Sequence, residues 1–384
     1  MSEIIYFDNS ATTKIDPAAL KSLVMTMENY YGNPSSLHDL GNQAKALLNK
    51  ARQQIAELCG CQAEEIFFTS GGTESNNWAL KGTAYEKAGR GKHIITSSVE
   101  HPSVSHTLKE LEQEGFEVTY LPVDKEGRVN PKDLQTALRP DTILVSIMAV
   151  NNEIGTIQPI KEIAEILTDF PTIHFHVDGV QSLGRFKNPL IHSRVDLYSF
   201  SSHKFNGPRG VGILYKKKNR TLKNLVEGGG QEANLRSGTE NLPGIVATAK
   251  AFRLSLERAQ EENQRQEAIQ ALIRAYLKQY PDTIRIFSPE SGASPHVLCF
   301  ALKAVRGEVM VHALEEKGIY VSTTSACSSR QTGHSSSTLL AMGVDGSWAH
   351  SAIRLSFGFE NTEEEAQRFI DTFEELRQKF TVIQ

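Results

Sequence analysis

The sequence predicts an α/β protein: a large domain with a mostly parallel sheet between helices, plus a smaller C-terminal α/β domain. Three observations lead there. Short apolar runs alternate with amphipathic stretches from Glu65 to Tyr215, the pattern of strands joined by crossover helices. Polar residues able to do chemistry gather just after those apolar runs, where open α/β sheets bind ligands. After Asn241 the texture changes to a long helical pattern dense in Glu, Gln, Arg and Ala, which runs to about Gln279 and carries the chain out of the large domain.

The elements follow in order. Glu65–Ser70 is a strand, ended by Gly71 and Gly72, and Glu74–Gly89 is a helix. His93–Ser97 is a strand, Ser103–Glu114 a helix after Pro102, and Glu117–Leu121 a strand. Pro131–Leu138 is helical, Thr142–Val150 the central apolar strand, and Ile160–Asp169 a helix. Ile173–Val177, Asp196–Phe200 and Val211–Tyr215 complete the strands. Ser322–Ser337 is rich in Ser and Thr without apolar periodicity and reads as a loop. The stretch before Glu65 shows no such alternation and carries no assigned element.

Bulk properties narrow the function. A chain of 384 residues can bury a large core and form two domains. The net charge of −4 gives no nucleic-acid or anionic-membrane footprint. Met1–Tyr6 lacks a basic segment followed by an apolar one, so no signal peptide is expected, and no apolar run reaches transmembrane length. The four cysteines, Cys59, Cys61, Cys299 and Cys327, are too few for a disulfide scaffold, which points to a reducing compartment, the cytoplasm. Cys59-Gly60-Cys61 has no second pair at zinc spacing, so it reads as a helix end and its turn, and no metal site is expected. Cys299 lies in an apolar strand as packing.

The chemistry concentrates in a few motifs. Lys204 closes Ser201-Ser202-His203-Lys204 just after a strand, ahead of the turn Asn206–Gly210. The strand Ile173–Val177 ends on Asp178, with Gln181 three residues on. An amine for a Schiff base and a carboxylate for a pyridinium nitrogen are what pyridoxal phosphate asks of a protein. Taken alone, such a lysine is more often a solvated charge. Gly71-Gly72-Thr73 opens a helix after a strand and suits a phosphate, although a plain βα turn capped by Thr73 competes. His101, at a strand end, can lie over an aromatic ring and move protons, or serve as a structural hydrogen-bonder. Asn151-Asn152 are turn amides or ligands of a ring hydroxyl and a carboxylate.

Gly228-Gly229-Gly230 leads to Arg236-Ser237-Gly238-Thr239, either an anion-binding entrance or an ordinary loop. Arg354 interrupts an apolar strand-like run, which calls for a partner: a substrate carboxylate or an internal salt bridge. Cys327 sits among small polar residues, with Arg330 and His334 near in sequence, an exposed thiol that is incidental or nucleophilic.

Taken together, these motifs resemble the NifS/IscS-type cysteine desulfurases, pyridoxal phosphate enzymes of the class V aminotransferase family with fold type I. The resemblance runs from Tyr6-Phe7-Asp8-Asn9-Ser10-Ala11-Thr12-Thr13 through Gly32–Ser36 to Arg354, and six internal stretches match in order and spacing. It implies that Lys204 tethers the cofactor, Asp178 holds the ring nitrogen and His101 stacks on the ring. Gln181 and Asn152 would bind the ring oxygen. Gly72, Thr73, Ser201 and His203 would hold the phosphate, with Thr239 supplied by the second subunit of a homodimer. Asn152 and Arg354 would bind the carboxylate of L-cysteine, and Cys327 would receive its sulfur as a persulfide.

The implied reaction yields L-alanine, with the sulfur passed to a protein acceptor for iron–sulfur cluster assembly or tRNA thiolation. Residues 14–255 are the expected large cofactor-binding domain, and 1–13 with 256–384 the small domain carrying the Cys327 loop. Selenocysteine lyase, or another class V lyase, is the alternative within the class. A non-catalytic sulfur-transfer scaffold is the alternative outside it. Three departures stand out. Gly179 takes the place of an alanine expected under the ring, implying a looser ring seat. Thr324 replaces a glycine before Ser325-Ala326-Cys327. The stretch Arg330–Ser337 lacks the Pro-Ser that often starts the next helix.

Overall fold

The computed structural model describes residues 4–185, 190–324 and 336–382. The chain opens with strand β1 (Ile5–Tyr6) and two helices, α1 (Pro17–Asn29) and α2 (Asp39–Cys59). These helices fill the stretch left unassigned from sequence. Asp16 caps α1 by accepting from the amides of Ala18 and Ala19, with Pro17 at the first position. The α2 helix buries Leu48, Ala51, Ile55 and Cys59 at helical spacing, and Gly60 closes it in the left-handed region with φ 69°. Cys59-Gly60-Cys61 is thus a helix end and its turn.

The expected strands then appear nearly as predicted: β2 (Ile66–Thr69), β3 (His93–Ser97), β4 (Glu117–Leu121), β5 (Thr142–Met148), β6 (His174–Asp178), β7 (Leu197–Ser201) and β8 (Gly212–Lys216). They form one seven-stranded sheet in the order β2-β8-β7-β6-β5-β3-β4. Neighbours pair in parallel from β7 through β4, whereas β8 runs antiparallel to both β2 and β7. Strands β5 to β8 are buried throughout, as a sheet covered on both faces requires. Helices α3 (Gly72–Lys87), α4 (Pro102–Gln113), α5 (Pro131–Ala137) and α6 (Ile160–Leu167) are its crossovers.

A short helical turn, α7 (Gln231–Asn234), has left-handed dihedrals at Glu232, Ala233 and Asn234. Buried Glu232 holds it in place, pairing with Arg52 and accepting from the Phe68 amide at 2.9 Å. Helix α8 (Leu242–Leu277) then spans 36 residues. Its first half packs Leu242, Ile245 and Phe252 into the core around the large sheet, and its second half packs Ile269, Ile273 and Leu277 into a separate core. That second core lies on a four-stranded antiparallel sheet ordered β12-β13-β10-β9, where β9 is Ile284–Ile286, β10 Val297–Leu302, β12 Ser322–Thr323 and β13 Ala352–Ser356. Strand β1 pairs in parallel with β11 (Ile319–Tyr320) in a two-stranded sheet of its own, and Asp8 bridges Ser356 of β13, which ties the N-terminal segment to the four-stranded sheet. From there Asp8–Thr13 crosses to the carboxyl edge of the large sheet, where it bonds His203 and Lys204.

Candidate active site

One cavity of about 640 Å³ lies beyond the carboxyl ends of β5, β6 and β7. Asp178 ends β6, and Lys204 follows β7 by a single 3-10 turn, Ser202–Lys204. Since β6 and β7 are paired neighbours, the sheet brings the carboxylate and the amine to the same opening. Both line the cavity. The Lys204 ammonium donates to the backbone carbonyls of Ser10 and Ala11. These are neutral acceptors on a segment far away in sequence.

Asp178 is buried, and both of its oxygens are held: Oδ1 accepts from the Val180 amide at 3.0 Å and Oδ2 from Asn76 Nδ2 at 2.8 Å. His101, the N-cap of α4, accepts from the Ser103 amide through Nδ1 and faces the same cavity. Burial holds its pKa below the ordinary imidazole value, and the Lys204 charge adds to that while Asp178 opposes it.

Helix α3 begins at Gly72, its N-cap Gly71 makes no side-chain hydrogen bond, and Gly71, Gly72 and Thr73 line the cavity, which leaves the first amides of the helix for an anion there. A Cβ on Gly72 would come within 2.7 Å of Val180 Cγ2 and 3.2 Å of Ser201 Cβ, so only glycine fits. Thr73, Ser201 and His203 join it on the lining. His203 is pushed down to about 4 by burial and by the nearby charges of Lys204 and Arg209. It is therefore neutral and bonds Thr12 Oγ1 at 3.1 Å. Arg209, which no motif singled out, supplies a cation at this end.

The remaining positions separate into those that meet here and those that do not. Asn152, Gln181 and Arg354 line the cavity. Gln181 is also engaged behind it, donating to Ser10 O at 3.0 Å and bonding His296 at 3.2 Å. Arg354 makes the internal salt bridge that had competed with a substrate role. It pairs with Asp8 at 2.9 Å and donates to the Asn152 carbonyl at 3.0 Å, while its Nε is buried without a partner. Burial raises the Asp8 carboxyl, and Arg354 pulls it back. Thr239 is exposed and does not line the cavity of its own chain. Cys327, with Arg330 and His334, lies outside the described residues.

The expectation of a looser ring seat at Gly179 is overturned. Gly179 does not face the cavity: a Cβ there would fall inside the ring of Tyr198. The next residue, Val180, lines the cavity instead, so a bulky β-branched side chain occupies the wall. Alternation along the chain after β6 assigns the two residues opposite directions, and counting from Asp178 with that alternation in mind would have chosen Val180. Asn76, Ser103 and Arg209 were given no role from the sequence, and Ser10–Thr12 entered only as part of the segment that opens the resemblance. Asn76 sits one helical turn after Gly72, a spacing that hinted at it.

The residues fit pyridoxal phosphate. One cavity holds an amine, a carboxylate hydrogen-bonded through both oxygens, and a helix N-terminus with an arginine on the same lining. The fold and this site together define a pyridoxal phosphate enzyme of fold type I. The chain belongs to the aminotransferase class-V family, whose model matches residues 5–369. It is 59% identical over 382 residues to a NifS/IcsS protein homolog of Lactobacillus delbrueckii subsp. bulgaricus, covering 99% of each chain. It is 43% identical to the cysteine desulfurase IscS of Methanosarcina thermophila, covering 98% of this chain and 93% of that one. A solved NifS-like protein superposes with a TM-score of 0.91 at 40% identity, covering 97% of this chain and 99% of that chain.

Proposed function

We propose that this chain is a pyridoxal phosphate-dependent cysteine desulfurase that converts L-cysteine to L-alanine and keeps the sulfur as a persulfide on Cys327. The observation that carries it is the juxtaposition of Lys204 and Asp178 on one cavity at the ends of paired strands. The full-length relation to a cysteine desulfurase at 43% identity supports the choice of reaction.

When bound, the cofactor supplies an electron sink for the pair left behind when the cysteine Cα proton departs. The protein does the rest. Asp178 would hold the ring nitrogen in its charged form, and Asn76 and the Val180 amide keep that carboxylate oriented. Gly72, Thr73, Ser201 and His203, with Arg209, would hold the phosphate, and Gln181 and Asn152 would bind the ring oxygen. Arg354 and Asn152 bind the substrate carboxylate, which takes over from Asp8 as partner of the guanidinium. Lys204 removes the Cα proton, with two carbonyls at hand to receive its hydrogen bonds. His101, on the cavity wall, would pack on the bound cofactor and donate to the reacting centre. The Cys327 thiolate then attacks the substrate sulfur: an S–S bond forms, the C–S bond breaks, and the carbon side leaves as alanine after protonation.

The homodimer is part of the same proposal. Thr239 is exposed on its own subunit, and the large apolar side chains Tyr31 and Leu37, 73% and 95% exposed, support a covering partner surface. The sulfur acceptor is a protein of iron–sulfur assembly or tRNA thiolation. The location is cytoplasmic, in keeping with three unpaired cysteines among the described residues. No described helix is long and apolar enough to cross a membrane.

The test is incubation with L-cysteine, followed by mass spectrometry of the Cys327 peptide and an alanine assay. One added sulfur on Cys327 together with alanine is expected. Alanine formed with no label on Cys327, and full activity in Cys327→Ala, would replace this reaction with a lyase acting on cysteine or selenocysteine.

A further inference from the structure

A chain of side-chain hydrogen bonds joins His101 to Asp178 through two residues, Asn76 and Ser103, to which the sequence assigned no role. Asn76 Nδ2 donates to Asp178 Oδ2 at 2.8 Å and to Ser103 Oγ at 2.9 Å. Ser103 Oγ lies 2.9 Å from His101 Nδ1, and the Ser103 amide donates to the same nitrogen at 3.1 Å. Asn76 is 1% exposed and Ser103 9%, so water competes little with these bonds.

The direction of every hydrogen follows from the donor inventory. An amide nitrogen carries two hydrogens and accepts nothing, so both Asn76 hydrogens are used, one on Asp178 and one on Ser103. Ser103 Oγ, having accepted, offers its own hydrogen to His101 Nδ1. The backbone N–H of Ser103 also points at Nδ1, and it cannot be rotated away because it belongs to the first turn of α4. Nδ1 therefore accepts and carries no proton. In a neutral imidazole the hydrogen must then sit on Nε2.

We propose that Ser103, itself oriented by Asn76, is a positioning residue that fixes His101 as the neutral imidazole with its hydrogen on Nε2, so that the ring meets the bound substrate as a hydrogen-bond donor and not as a base. This rests on the reading of the cavity as the cofactor and cysteine site. It also assigns the Cα proton to Lys204 alone. Protonating His101 would place an N–H at Nδ1 against the Ser103 amide and would cost both bonds. The charges facing the ring are Asp178 from β6, which favours protonation, and Lys204, His106 of α4 itself and Arg354 of β13, which oppose it. The same network ties the ring stack to the carboxylate under the ring nitrogen, so Asn76 serves both.

The test reads the imidazole directly. The cofactor-free protein is labelled with ¹⁵N-histidine, and the His101 signals are assigned by their loss in His101→Gln. From pH 6 to 8 the wild type is expected to show an unprotonated Nδ1 and a protonated Nε2. In Ser103→Ala, which keeps the amide donor but removes the hydroxyl, the His101 pKa rises by about half to one unit. In Ser103→Thr, which keeps the hydroxyl, it stays at the wild-type value. Ser103→Cys, close in size, substitutes should the alanine variant not fold, and the same rise is expected from its weak donor. The acid limb of kcat/KM for cysteine should move with the NMR titration. A wild-type His101 protonated on Nδ1 at pH 7, or a titration unchanged in both Ser103→Ala and Ser103→Cys, overturns the proposal while leaving the desulfurase function standing. Absence of cysteine turnover, with the expected tautomer in place, instead removes the function and keeps the tautomer.

Discussion

The ring of Tyr198 occupies the space that a side chain on Gly179 would need, and Ser182 binds the pair together. Its hydroxyl donates to the Gly179 carbonyl at 2.7 Å and accepts from the Tyr198 hydroxyl, the two oxygens 2.6 Å apart. Tyr198 is 2% exposed and leads β7 toward Lys204, while Gly179 follows Asp178 directly. The same aromatic wedge thus supports both strands that carry the reactive groups. Gly179→Ala is expected to cost about 1–3 kcal/mol through overpacking. In a Tyr198→Leu background that penalty should fall to well under about 1 kcal/mol, because the two residues share one space. Urea denaturation of the four proteins of this cycle checks it, and an equal penalty in both backgrounds would disprove the coupling.

Lys204→Ala should lose the covalent cofactor. Borohydride treatment followed by peptide mass mapping will label Lys204 in the wild type and nothing in the variant, whose yellow colour will wash out on dialysis. Cysteine turnover should fall by at least about 10³-fold, since both the tether and the base are gone.

Arg354→Lys keeps a charge but cannot pair with Asp8, bond the Asn152 carbonyl and grip a carboxylate with two parallel donors. The KM for cysteine is expected to rise about 10–100-fold, equivalent to about 1.4–2.8 kcal/mol, with a smaller change in kcat. Steady-state kinetics distinguishes this from a general defect, which would lower kcat and leave KM in place.

Glu100 gives a pH-dependent stability. Its carboxyl is fully buried, with one oxygen accepting from Ser97 Oγ at 2.5 Å and the Met148 amide at 3.0 Å and the other without a partner. Burial pushes its pKa up to about 8, against 4.5 for an ordinary glutamate, and Asp178 adds to the rise. The folded state therefore favours the protonated form. That contribution is fully present below the unfolded value and is lost as pH rises through the folded one. Glu100→Gln keeps both acceptor bonds and cannot ionise. Its stability relative to wild type should increase between pH 5 and 8, by at most about 1.4 kcal/mol per pH unit. Urea midpoints of the two proteins at both pH values measure this, and a constant difference would show that Glu100 does not titrate in that window.

Much of the site was legible in the chain because its determinants are local. Lys204, Asp178, His101 and Gly72 each sit at the end of an apolar strand or the start of a helix, and residues so placed share one edge of a parallel sheet whatever the strand order. The sequence by itself therefore determined the α/β class and that Lys204, Asp178, His101 and Gly72 share one edge of the sheet. What only the tertiary structure decided is their partners. Asp8 and Arg354 pair across 346 positions, and Lys204 is received by the carbonyls of Ser10 and Ala11, which have no side-chain signature at all. Whether Gly179 or Val180 faces the cavity depended on the direction of the backbone after β6, and the bonds of Asn76 and Ser103 on how α3 and α4 pack together. The physical reason is that periodicity records which face of an element is buried, whereas hydrogen-bond partners are set by the distances between elements, and those exist only once the chain has folded.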